Sequence, residues 1–154
     1  MSTDQLIVFF AEYLPYLLVL AFLWWALARR ARFFAIATGL GAGALARAGV
    51  EIIRLFVHRP RPFVADPSIH ALFVETSASF PSGHAAFFFA LSTVIYAHDK
   101  RAGLAFFLAS AVVSFARVAA GVHYYSDVAA GALIGIAVGY AVLKFCARYD
   151  TLSL

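Results

Sequence analysis

The chain has 154 residues, of which 64% are hydrophobic and 13% charged, with a formal net charge of +4. That apolar share, with a mean hydropathy of +0.87, argues against a soluble globule, whose apolar fraction is about 45–50%. The cations flank apolar runs and form no stripe interleaved with aromatics, so no nucleic-acid partner is expected.

Five long apolar runs carry the excess, at about Leu6–Ala28, Phe33–Val57, His84–Ala97, Ala102–Ala120 and Val128–Ala147. A helix needs about 20 apolar residues to cross a hydrocarbon core of about 30 Å. The sequence therefore predicts an all-α, multi-pass transmembrane bundle of about five spans, in a single domain over residues 1–154. The third run is short and is expected to borrow residues on either side. The first run is flanked by Asp4 and Glu12 rather than by positive charge and has no small-residue cleavage pattern, so it reads as a span and not as a cleavable signal. Gly39 and Gly43 share one helix face, as do Gly131, Gly135 and Gly139, a spacing that lets helices approach closely in lipid. Cys146, the single cysteine, lies in the last run, so no internal disulfide can form.

Loops alternate between the two sides of the membrane. Arg29, Arg30 and Arg32, then Lys100 and Arg101, then Lys144 and Arg148 fall on one side, which the positive-inside tendency makes cytoplasmic. The segment at 59–80 falls on the other side. It holds Pro60, Pro62 and Pro67, with Pro81 at its end, and is expected to be an irregular outer loop with a short interfacial helix through Ile69–Val74.

Three motifs meet on that outer side. In the first, Arg54 is followed after six residues by Arg61-Pro62. Arginine suits phosphate because its planar fork donates paired hydrogen bonds and keeps its charge. A snorkelling Arg54 and a plain loop charge at Arg61 are the alternatives. An alignment on Arg59-Pro60 is set aside, because the residue seven before Arg59 is apolar Ile52. The second motif is Pro81-Ser82-Gly83-His84, which opens a helix with Ser82 as N-cap and Gly83 permitting close approach. A helix start presents free N–H groups to an anion, and His84, read as one turn inside, could exchange a proton near neutrality. An ordinary capped helix is the alternative. In the third, Arg117 is followed after five residues by His123, and Asp127 stands four further on. A carboxylate at one ring nitrogen fixes the tautomer and makes the other nitrogen nucleophilic; Asp127 could also cap the fifth helix.

Arg47 and Glu51 lie on the same face of the second run as Arg54, with Arg47 roughly 15 Å below Val57. Charges at that depth should face the bundle interior and pair, forming a ladder that orients Arg54. A zinc site drawn from His58, His70, His84 and His123 lacks any recognisable ligand spacing, and His98 falls on the other side. A transporter would more naturally place its charges at mid-bilayer on broken helices.

Over about residues 50–140 the sequence resembles the type-2 phosphatidic acid phosphatases, integral-membrane lipid phosphatases. Their motifs match Arg54, Arg61 and Pro62, then Pro81 to His84, then Arg117, His123 and Asp127. Arg54 stands where lysine is commoner and Ala116 where serine is usual, and five spans stand against the usual six. The run Arg61–Val64, the pair Glu12-Tyr13 and the small size are most similar to the bacterial undecaprenyl-diphosphate phosphatases of that family.

The resemblance implies that His123 attacks phosphorus, Asp127 orients it, and His84 protonates the leaving oxygen and then helps to activate water. Arg54, Arg61 and Arg117, with Ser82 and Gly83, would hold the phosphoryl oxygens, and no metal or other cofactor is implied. The expected partners are a lipid phosphate or diphosphate and the surrounding lipids, with the site on the outer face of a bacterial inner membrane. Phosphatidylglycerophosphate, phosphatidate and lipid A phosphatases are the alternatives within the class, and transport is the alternative outside it.

Overall fold

The computed structural model of the chain describes residues 2–28 and 32–150, and among these it is helical with irregular connections. Helix α1, Thr3–Leu27, starts with a capping box in which Ser2 Oγ accepts from the Gln5 N–H and the Gln5 side chain accepts from the Ser2 N–H. A π-helical turn, Phe9–Tyr13, interrupts it just before Pro15. Pro15 has no N–H, so the Ala11 carbonyl four residues earlier lacks an α-helical donor. The freed oxygen accepts from Arg117 Nη1 at 3.3 Å. A local backbone defect in the first helix thus becomes a contact to a motif arginine.

Helix α2 runs Arg32–Arg54. Ala42, Ala46 and Val50 are fully buried, and Arg54 ends this four-residue ladder, so the packing stripe of α2 leads to the site. The helix stops at Arg54, short of the expected Val57, and is followed by a tight turn. The connecting segment is irregular, as its prolines suggest, but its short helix, α3, is Pro62–Ala65. The helix expected through Ile69–Val74 does not form. Pro62 suits the first helical position, whereas Leu72 N–H bonds instead to the Ala120 carbonyl at 3.1 Å.

Helix α4, Gly83–His98, is the central element. At 16 residues it is about 24 Å long, and it extends the His84–Ala97 run by only one residue at each end: Ser82 caps its start and Asp99 ends it. Asp99 also caps α5, Lys100–Ala119, accepting from the N–H groups of Arg101 and Ala102 at 3.0 Å. Helix α6, Tyr125–Asp150, closes the bundle. Helices α1, α2, α5 and α6 are long and apolar enough to cross a membrane. The shorter α4 is enclosed by α2, α5 and α6, which accounts for its deficit in length. The protein is a multi-pass membrane bundle.

The glycines of α6 allow a close helix approach. A Cβ at Gly131, Gly135 or Gly139 would lie within 3 Å of the carbonyl oxygens of Ser82, Ala86 and Ala90, respectively, on α4. Gly39 and Gly43 instead receive the rings of Phe22 and Phe87. The cationic residues Lys100, Arg101, Lys144 and Arg148 belong to the opposite end from the motifs; Arg29 and Arg30 lie outside the described residues.

Because Gly135 meets rigid backbone, Gly135→Val should cost about 1–3 kcal/mol as an overpacked contact. Gly41, where an added Cβ would meet nothing within 4 Å, should tolerate Ala. Thermal unfolding in detergent should separate the two, with a lower Tm for the first variant alone.

Candidate functional site

The motif residues meet at one end of the bundle. Arg54 comes from the last turn of α2, Ser82 to His84 from the start of α4, Arg117 from the last turn of α5, and Asp127 from the first turn of α6. The turn carrying His123 is set by helix-end geometry. Gly121 has a φ of 76°, and the N–H groups of Val122 and Gly121 return to the carbonyls of Arg117 and Val118 at 3.2 and 2.9 Å. This Schellman pattern favours glycine at its left-handed position. It delivers His123 two residues later. His84 lies in the first turn of α4, nearer the cap than expected.

The arginines are buried, yet each is held by oxygen acceptors. Arg54 Nη2 donates to the Pro81 carbonyl at 2.9 Å and Nη1 to Glu51 Oε1 at 3.1 Å. Arg61 donates to the carbonyls of Ser77 and Val122, both at 2.8 Å, and its Nη1 stands 3.5 Å from His123 Nε2. Glu75 joins the first and third motifs: one oxygen accepts from Arg61 Nη2 at 2.7 Å and the other from Arg117 Nη2. Glu12 reaches Arg117 Nη1 at 3.3 Å. Two guanidinium groups thus converge on two oxygens of one anion, the donor pattern that suits a phosphoryl group.

Asp127 is fully buried. Its Oδ2 accepts from Ser79 Oγ at 2.5 Å and from the Tyr124 N–H at 2.8 Å, and its Oδ1 accepts from Arg59 Nη1 at 2.8 Å. The Tyr124 bond ties Asp127, at the third position of α6, back to the residue that caps that helix. His123 Nδ1 faces Asp127 Oδ2 at 3.4 Å without making a hydrogen bond.

Burial depresses the His123 imidazole to about 4, with Arg117 and Arg61 pushing the same way and the nearby Asp127 carboxylate opposing them. Its ring is therefore neutral at pH 7. Burial also lowers Arg61 to about 10, helped by the charge of Arg54, which leaves it protonated at neutral pH.

The expected ladder forms, with Glu51 Oε1 accepting from Arg47 Nε at 2.9 Å and from Arg54 at 3.1 Å. Arg47 and Glu51 are not interior, however; their side chains are 45% and 48% exposed. Arg47 lines a cavity of about 400 Å³ shared with Glu12, Glu75, Gly83 and His84, whose walls include Tyr16 and Phe87. Ala116 lines a cleft against α1, beside Ile7 and Phe10.

Sequence reasoning missed several participants. Arg59 fails the motif spacing, yet it binds Asp127 and Ser126 and stacks over the Tyr124 ring at 3.9 Å. Glu12 was read for topology and family likeness, not as a partner of Arg117. Glu75, Ser77 and Ser79 lie in an irregular segment where no periodicity points to them. Among the described residues, no three His, Cys, Asp or Glu side chains converge as a metal-ligand set.

Residues 33–149 match the PAP2 superfamily. The chain is 30% identical over 135 residues to the bacitracin transport permease protein BcrC of Bacillus licheniformis, covering 86% of this chain and 66% of that protein. It is 30% identical over 148 residues to the undecaprenyl-diphosphatase BcrC of Bacillus subtilis, covering 92% and 74%. Among solved structures, LpxE of Aquifex aeolicus superposes with a TM-score of 0.77 at 31% identity, over 91% of this chain and 86% of that one. A PAP2-type phosphatidylglycerolphosphate phosphatase of Bacillus subtilis shares the fold, with a TM-score of 0.66 at 18% identity over 94% and 77%.

The depressed His123 can be checked directly. In the ligand-free protein its ring resonances should titrate near 4, against about 6.5 for an unperturbed imidazole. A midpoint at or above about 6, close to that unperturbed value, would contradict the burial argument.

Proposed function

The chain belongs to the PAP2 superfamily, and on that premise we propose that it is a metal-independent membrane lipid phosphatase acting through a phosphohistidine. Its proposed substrate is undecaprenyl diphosphate, converted to undecaprenyl phosphate and inorganic phosphate for recycling of a cell-envelope carrier. The observation that carries the reading is the convergence of Arg61 and Arg117 on the Glu75 carboxylate, with His123 Nε2 3.5 Å from Arg61. The choice of lipid rests on the similarity to the Bacillus subtilis undecaprenyl-diphosphatase over 92% of the chain.

The terminal phosphoryl group takes the place of the Glu75 carboxylate between the two arginines. Arg54 and the free N–H groups at the start of α4 hold its remaining charge. Fixed donors of this kind stabilise a spreading transition-state charge without reorganising. Neutral His123 attacks phosphorus through Nε2, and the positive charge that develops on its ring is balanced by Asp127. Asp127 is itself held by Ser79, Tyr124 and Arg59, so it is a fixed counter-charge. His84, protonated when the negatively charged substrate is bound, gives that proton to the leaving oxygen. Water then breaks the phosphorus–nitrogen bond, with His84 as base, and inorganic phosphate departs.

The proposed setting is a bacterial inner membrane with the site facing outward. Lys100, Arg101, Lys144 and Arg148, at the end away from the motifs, support that orientation.

His123→Ala should abolish both phosphate release and acid-labile labelling of the protein by radioactive substrate. Asp127→Asn should lose rate far more than substrate affinity, and EDTA should leave the wild-type rate intact. A fully active His123→Ala would remove the covalent route. For orientation, a cysteine at Ser68 in a Cys146→Ser background should react with impermeant maleimide on intact cells, and one at Lys100 only after permeabilisation. The opposite pattern would turn the site toward the cytoplasm.

A further inference from the structure

Arg47 is the one arginine or lysine among the lining residues of the cavity beside His84. It stands seven residues before Arg54, about 10 Å lower along α2, but its long side chain rises toward the site. Its Nη1 lies 2.7 Å from the point that a Cβ on Gly83 would occupy. Only glycine leaves room for this guanidinium to lie across the start of α4. Arg47 is tied to Glu51 through Nε, and among the described residues its Nη groups make no hydrogen bond. The two carboxylates of the same cavity are engaged elsewhere, Glu75 with Arg61 and Arg117 and Glu12 with Arg117.

We propose that Arg47 binds the inner phosphate of a lipid diphosphate, making this cavity a subsite that favours diphosphates over phosphomonoesters. The inference rests on the phosphatase reading and on His84 serving the leaving group. When His123 Nε2 bonds to the terminal phosphorus, the bond to the bridging oxygen breaks and its electron pair stays with the departing lipid phosphate. Negative charge builds on that group before the proton of His84 reaches it, on the side of the reaction where Arg47 presents its free nitrogens. A phosphomonoester leaves as an alcohol, with no second phosphate for Arg47 to hold. The tyrosine and phenylalanine walls around Arg47 suit the start of the lipid chain.

The test uses the full-length protein in detergent, polyprenyl diphosphate and polyprenyl monophosphate of equal chain length, and direct binding of methylenediphosphonate and inorganic phosphate. Arg47→Gln should lower the diphosphate-to-monophosphate ratio of kcat/KM by about 10- to 100-fold, as expected for one charge-assisted hydrogen bond to a charged group. It should also erase the tighter binding of methylenediphosphonate. Arg47→Lys should keep most of the ratio. Glu51→Gln, which breaks the Nε pair but leaves the guanidinium, should not shift the ratio. If Arg47→Gln lowers both substrates equally, Arg47 acts only through Glu51 on Arg54 and the subsite is overturned. A wild type that binds methylenediphosphonate no tighter than phosphate overturns it without any variant, even while phosphate release upholds the phosphatase reading. A wild type that releases phosphate from neither lipid overturns both.

Discussion

The burial of guanidinium groups at one end of an apolar bundle is the constraint around which the remaining structure is arranged. Arg61 and Arg117 are almost wholly removed from solvent, and an unpaired charge in such a place would cost several kcal/mol. Each therefore recruits oxygen acceptors from distant parts of the chain: the carbonyls of Ala11, Ser77 and Val122, and the carboxylates of Glu12 and Glu75. The irregular segment between α3 and α4 follows from this need. Ser77 gives its carbonyl to Arg61 and its hydroxyl to both Arg61 and Arg54, while Ser79 is held at its hydroxyl by Asp127. A segment without regular hydrogen bonding is tied down by the charges it neutralises.

The same acceptors explain how the proposed anion site could persist between turnovers. A cluster of cations repels itself unless negative charge stands among them, and Glu75 supplies it with two oxygens placed one to each arginine. The proposed reaction exchanges that internal carboxylate for a phosphoryl group. Substrate binding is then a replacement of one anion by another of higher charge, and the arginines never face each other uncompensated.

Packing in the body of the bundle serves this end. The three glycines of α6 bring its backbone onto α4, and Ser82 N–H bonds to the Asp127 carbonyl at 3.0 Å at the top of that contact. The start of α4, whose N–H groups belong to the proposed phosphoryl site, is thereby locked to the helix that holds Asp127. A short central helix packed against three longer ones can be fixed in this way.

The amino-acid sequence by itself determined the membrane class, the approximate helices and the motif residues. Long apolar runs have few alternatives in water, and the motif residues stand at spacings tied to helix ends. It also carried the glycine spacing on α6, since a helical period of about 3.6 makes shared faces readable. Only the tertiary structure decided which charges partner which. Arg59 looked wrong by spacing, yet a loop turn carries it to Asp127 across 68 positions of the chain. Glu12 and the Ala11 carbonyl reach Arg117 from more than 100 positions away, through a π-turn and a proline whose effect on direction no local pattern reveals. The short helix settled at Pro62–Ala65 rather than Ile69–Val74 because contacts with the end of α5 claimed the later segment. Local rules place residues on helices, whereas the pairing of buried charges depends on where distant segments come to rest, and that is fixed only when the whole bundle has closed.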